Sequence, residues 1–170
     1  MRAVPHCIVL TDARNDAMLE RAIRRLPQGS AVVFRHYHLD DAARRRRFSQ
    51  VRAMAAGRGL VVIGARVPGH WHANGVYGSA REVAGAPGLK LATAHCLREI
   101  GAAARAGADA ILLSPVFPTR SHPGAAVLGS VRFLLLARLS PLPVVALGGM
   151  TRARARRLPV HGWAAIDGIA

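Results

Sequence analysis

The chain has 170 residues and 18.1 kDa, with 24 basic against 9 acidic residues and a formal charge of +15. That length holds one domain with a sizeable core and not two ordinary ones, so residues 1–170 are expected to form a single domain. With 51% apolar and 5% aromatic residues, the composition excludes global disorder and indicates an aliphatic core.

Two cysteines, Cys7 and Cys96, cannot make a disulfide framework, and no long apolar leader with a small-residue cleavage site follows Arg2. The richest apolar stretch, 133–149, is broken by Arg138, Pro141 and Pro143, short of the ~20 unbroken residues that a bilayer span needs. A soluble, cytoplasmic protein with no membrane partner is expected. The basic excess calls for anionic partners: phosphorylated small molecules or nucleic acid. Lys90 is the only lysine, so the charge rests on guanidinium groups, which grip phosphate in a planar fork and cannot form Schiff bases.

Apolar runs at 7–12, 31–35, 60–64, 75–78, 90–95, 110–114, 143–147 and 163–167 read as eight strands buried on both faces of a parallel sheet. Segments with helical spacing lie between them. Asn15 and Asp16 can open a helix carrying Leu19, Ile23 and Leu26, stopped by Pro27. Asp40 and Asp41 can cap a second with Phe48, Val51 and Met54 inward. Helices over 97–106, 131–139 and 151–158 follow. The connections after the third and fourth strands hold too few residues for full helices, and only three residues follow Asp167. The pattern predicts a compact (β/α)8 TIM barrel with reduced helices after strands 3 and 4 and no eighth helix. An open doubly wound sheet is the alternative. Outer strand faces left bare by a missing helix predict a homodimer covering the eighth and first strands.

In either fold the ligand site lies at the carboxyl ends of the strands. Arg35, Arg66 and Arg120 with His36, His38, His95 and His122 fall there and predict a cationic mouth. Gly148-Gly149, between a buried strand and a helix opening at Thr151, supplies unobstructed backbone amides for a phosphate. Asp167-Gly168 completes a two-loop cradle. The run Arg44–Arg47 follows Asp40 and Asp41 and reads as a solvated helix face with i,i+4 pairs; a basic nucleic-acid-binding module on that face is a second alternative function, against which stands the lack of interleaved stacking aromatics.

The segment 107–110 (Gly-Ala-Asp-Ala), then 114–119 (Ser-Pro-Val-Phe-Pro-Thr), Leu128-Gly129 and 143–151 (Pro-Val-Val-Ala-Leu-Gly-Gly-Met-Thr) resembles the thiamine phosphate synthase family. Weaker likenesses at 8–12, 33–35, 75–77 and 93–95 extend this over most of the chain. The resemblance implies a (β/α)8 barrel that joins hydroxymethylpyrimidine diphosphate to thiazole phosphate, with Mg2+ holding the departing pyrophosphate. It further implies catalytic roles for Arg35, Thr93 and His122, and substrate or phosphate contacts at Thr119, Ser121, Gly148, Gly149, Asp167 and Gly168.

Several positions depart from the family pattern. Val33 and Tyr37 stand for a glutamine and a lysine, Thr93 for a serine, Ser121 for a threonine, His122 for a lysine and Asp167 for a serine. The metal-binding Asn-Asp pair falls at Gly64-Ala65, and no aspartate follows Gly78, with Glu82 a distant substitute. Mg2+ is therefore a cofactor by resemblance whose ligands are replaced. A catalytically impaired homologue that still binds a phosphorylated thiazole or pyrimidine is the alternative function.

Overall fold

The computed structural model describes residues 2–121, 124–167 and 169. Eight parallel strands close on themselves: β1 (Cys7–Leu10), β2 (Ala31–Phe34), β3 (Val61–Gly64), β4 (Gly75–Gly78), β5 (Leu89–Ala94), β6 (Ala110–Leu113), β7 (Val144–Ala146) and β8 (Gly162–Ala165). Cys7 pairs with Trp163, which joins β8 to β1 and removes both sheet edges. The chain is a (β/α)8 barrel, and closure rules out the open sheet.

Side-chain parity explains the two buried faces. Ile8, Leu10, Val33, Ile63, Leu91, Leu112, Val145 and Ala164 point into the lumen and pack as one cluster. Their neighbours Val9, Val32, Phe34, Val62, Ile111 and Val144 point outward beneath the helices, against Leu19, Ile23, Phe48, Val51, Ile100 and Phe133. Each large side chain so enclosed contributes ~1.5–3 kcal/mol. β4 crowds β5 so closely that a Cβ on Gly75 would sit 2.0 Å from the Leu89 carbonyl oxygen; only glycine fits there.

The crossovers are uneven. A 3-10 turn (Asp16–Met18) and α1 (Leu19–Arg25) link β1 to β2, and α2 (Asp41–Ala56) links β2 to β3. After β3 there is only a 3-10 turn (Gly69–Trp71), and after β4 a single turn, α3 (Ala80–Val83), held by a capping box between Ser79 and Glu82. α4 (Leu97–Arg105), α5 (Gly129–Arg138) and α6 (Arg152–Ala155) complete the set, and among the described residues no helix follows β8.

Two helix expectations need correction. Asn15 does not cap α1: its side-chain amide donates to Leu10 O and Ile166 O at 2.9 Å each, tying the ends of β1 and β8 together. The α-helix therefore starts only at Leu19. The helix expected over 151–158 is four residues long. Thr151 caps it, accepting from Arg154 N, and the chain then turns back so that Leu158 can bury against the barrel.

Candidate active site

A cavity of about 600 Å3 opens at the carboxyl ends of the strands. The inward series of side chains that fills the lumen continues upward into it: Tyr77 follows on β4, Thr93 on β5, Arg35 after β2 and Ser114 after β6. Of the residues singled out from sequence, Arg35, Thr93, Thr119, Ser121, Gly148, Gly149 and Asp167 line this one cavity. His122 and Gly168 lie outside the described residues. Tyr77 and Arg154 line it too and were missed. Tyr77 was findable from parity on β4. Arg154 was not, since its reach into the mouth depends on how short α6 is.

Arg35 is pinned from several sides. Its backbone N–H donates to Thr11 Oγ1 at 2.8 Å, and its carbonyl accepts from Arg44 Nε and Nη2 at 3.2 and 3.0 Å. Arg44 also donates to Ala65 O at 2.7 Å and Arg66 O at 3.0 Å, so one guanidinium caps the ends of β2 and β3. The Arg35 guanidinium donates through Nη2 to Asp12 Oδ2 at 3.1 Å, while its Nε is buried with no partner among the described residues.

Two expectations fail here for the same reason, that unpaired strand-end carbonyls and carboxylates draw guanidinium groups inward. Of the run Arg44–Arg47, Arg45 and Arg46 are solvent-exposed as expected, whereas Arg44 and Arg47 turn inward. Arg44 caps carbonyls, and Arg47 pairs with Asp16 and Glu20 at 2.7 and 2.6 Å. Asp40 is instead the N-cap of α2, accepting from Ala43 N.

His36 does not line the mouth either. It is fully buried, with φ +36°, and stacks on Phe34 at 4.6 Å. The Asp16 carboxylate can only accept, so His36 Nε2 carries the ring proton and donates to Oδ1 at 2.8 Å; Nδ1 of the neutral ring then accepts from the Thr11 hydroxyl at 2.7 Å. Burial pushes the imidazole below its ordinary value, overriding the carboxylate that would raise it.

Across the mouth, Gly148 and Gly149 have φ +96° and +60°, a region open to glycine at little cost. A Cβ on Gly148 would lie 2.7 Å from Pro115 Cα, and one on Gly149 2.5 Å from Pro118 O. This turn is zipped to the loop after β6: Val116 N donates to Leu147 O at 2.9 Å and Phe117 N to Gly148 O at 3.1 Å. No described residue accepts from the two glycine amides, and successive amides of this kind can hold an anion.

Arg154 donates to Gly149 O and stacks over the Phe117 ring at 4.7 Å. Thr119 Oγ1 accepts from Ser121 N, and Ser121 Oγ accepts from Arg14 Nη2 at 2.9 Å. Arg14 in turn meets Asp12 at 3.0 Å, so an arginine strap runs from the β1 end to the β6 loop. Asp167 is exposed at the rim. His95 lines the cavity with its ring Nδ1 2.8 Å from Glu99 Oε2.

Residues 6–170 match the family model described as thiamine monophosphate synthase. The chain belongs to the thiamine monophosphate synthase family. Over 77 residues, 45% of this chain and 41% of the relative, it is 38% identical to the putative thiamine-phosphate synthase 2 of Aquifex aeolicus. The match thus spans under half of that relative's length. Among solved structures, a thiamine phosphate pyrophosphorylase from Pyrococcus furiosus superposes with a TM-score of 0.79 at 23% identity, covering 94% of this chain and 84% of that one. A native KDPGal structure gives 0.64 at 13% identity, covering 96% and 83%. At these identities the two structures establish the barrel alone.

Thiamine monophosphate synthases as a family use Mg2+, which wants an octahedron of oxygens with one or two carboxylates. The residues here do not fit it. Ala65 is fully buried in the lumen layer, at the end of β3. After β4, the space a Cβ of Gly78 would take is filled by Glu82, 2.7 Å away. Glu82 itself is engaged: Oε1 accepts from Arg66 Nε at 2.8 Å and Oε2 from Ser79 N at 2.7 Å, which holds its carboxyl down at about 2. Asp12 is saturated by Arg14 and Arg35. Among the described residues no three metal-ligating side chains converge.

Proposed function

We propose that the protein joins a hydroxymethylpyrimidine diphosphate to a thiazole phosphate and releases pyrophosphate. The observation that carries this reading is the Gly148-Gly149 turn, whose amides have no acceptor among the described residues, set beside Thr119 and Ser121 in a cavity of about 600 Å3. That turn suits the thiazole phosphate, and the loop carrying Asp167 and Gly168 stands as its companion. In the reaction the thiazole nitrogen gives its lone pair to the pyrimidine methylene carbon, while the C–O bond to the diphosphate breaks and its electron pair leaves with pyrophosphate. Charge thus develops on the leaving oxygens, and a fixed cation there is worth about 3 kcal/mol of barrier. Arg35 is assigned that task, with Thr93 and His122 as the further catalytic candidates.

The test is an assay of the purified protein with both substrates, with and without Mg2+, alongside calorimetric titration of thiazole phosphate. Thiamine phosphate formation is the expected result. Binding without turnover would replace this reading by the second one, a homologue that holds the phosphate ester without the transfer. Ala65 at the first metal position, and Glu82, tied to Arg66 and Ser79, as the sole carboxylate near the second, after Gly78, favour that second reading. We further infer that residues 1–170 form one domain that acts in the cytoplasm as a homodimer. No described helix is long and apolar enough to cross a membrane.

A further inference from the structure

The cavity that lacks a place for Mg2+ is not short of positive charge. Arg35, Arg120 and Arg154 line it, against the single carboxylate of Asp167 among its described lining residues. Two of these arginines are held before any ligand arrives. Arg35 is fixed through Thr11, Arg44 and Asp12, and its Nε is buried with no acceptor among the described residues. The same guanidinium keeps part of its surface open to the cavity, its side chain being 23% exposed. Arg154 is stacked on Phe117 and anchored to Gly149 O, next to the glycine amides. The carboxylates that could have recruited a cation are instead bound to arginines: Asp12 to Arg14 and Arg35, and Glu82 to Arg66.

From this arrangement we propose that the protein binds its diphosphate group without a divalent metal, Arg35 supplying from the β2 end the fixed charge that Mg2+ supplies in the family, while Arg154 adds positive charge on the glycine-turn side of the same cavity. Guanidinium groups suit the exchange. They stay charged at every working pH, present a planar fork to phosphate oxygens and need no octahedral shell. A metal supplies its charge only when loaded; these two arginines supply theirs from the fold itself. The proposal rests on the mouth being an oxyanion site and not on turnover.

Inorganic pyrophosphate, titrated calorimetrically into the full chain, separates the cases. With EDTA present, pyrophosphate is expected to bind, and excess Mg2+ is expected to change the affinity by no more than the few-fold that complexation of free pyrophosphate explains. Arg35→Gln is expected to weaken binding about tenfold or more, the loss of one charge-assisted contact. Arg154→Gln, on an exposed residue whose loss does not threaten the fold, is expected to weaken it in the same direction. Arg35→Lys is expected to recover part of the affinity, because it restores charge without the fork.

Binding that appears only with Mg2+, no binding under either condition, or unchanged affinity in both glutamine variants would each overturn the proposal. The transfer assay fails independently of this one. Metal-free pyrophosphate binding without thiamine phosphate formation retires the proposed reaction and keeps the arginine site, whereas Mg2+-dependent turnover does the reverse.

Discussion

His36 shows how much a single side chain can organise without touching a ligand. Burial keeps the ring neutral, with its proton on Nε2 toward Asp16, and the Thr11 hydroxyl donates to Nδ1 while its oxygen holds the Arg35 amide. Unfolded, the imidazole gains a proton below its ordinary value of 6.5; folded, burial keeps it neutral to lower pH. The unfolded state therefore binds more protons across that window. The stability contributed by neutral His36 is complete above about pH 6.5 and is lost as the pH falls toward the depressed folded value. Asp16 shifts downward as well, so its own contribution is lost only in more acid solution, below its ordinary 3.8. Urea unfolding at pH 7 and pH 5.5 should show the loss. In His36→Asn, chosen because asparagine tolerates a positive φ, stability at pH 7 should drop by about 1–3 kcal/mol and the loss between the two pH values should shrink. An unchanged acid dependence in the variant would contradict the account. Asp40 as a cap and the glycine pair were legible one residue at a time. His36 was not, since a histidine after a strand looks the same in sequence whether it points into the mouth or beneath it.

At the scale of elements, α1 and α2 are joined by Arg47. It is 15% exposed and bonded to Asp16 and Glu20, each about a third exposed. A fully buried pair broken at one side costs ~3–5 kcal/mol; solvent at both carboxylates reduces this, and Arg47→Met should cost about 1–2 kcal/mol. The destabilisation should shrink in high salt, and a salt-independent loss of the same size would point to packing instead. Periodicity alone placed all eight strands and the caps of α2, because burial on both faces and N-cap chemistry are local. It failed for Arg44 and Arg47, whose partners lie on other elements, and held for the exposed Arg45 and Arg46 between them. Its estimate of the last helix was also too long, because Leu158 is drawn to the barrel wall.

For the whole molecule, closure leaves apolar surface that the described helices do not cover. On α5 and its C-cap, Val131, Leu135 and Leu139 are 75%, 57% and 63% exposed at i, i+4 and i+8. They flank a groove of about 560 Å3 lined by Leu134, Leu142, Pro143 and Val160. A smaller groove of about 360 Å3 lies over Cys7, Leu158 and Trp163, at the seam of β1 and β8. The sequence expectation put the dimer contact over that seam; the larger apolar exposure is on α5. Light scattering should give twice 18.1 kDa, and Leu135→Glu should return a folded monomer whose unfolding midpoint no longer depends on protein concentration. A monomeric parent protein would refute the dimer.

The eight apolar runs, the short third and fourth crossovers and the glycine turn were determined by the sequence, because strand burial and left-handed backbone are properties of a residue and its near neighbours. Only the tertiary structure decided which arginines face the ligand. A guanidinium follows the nearest unpaired oxygen, and chain closure brings those oxygens together from β1, β2, β3 and the loop after β7.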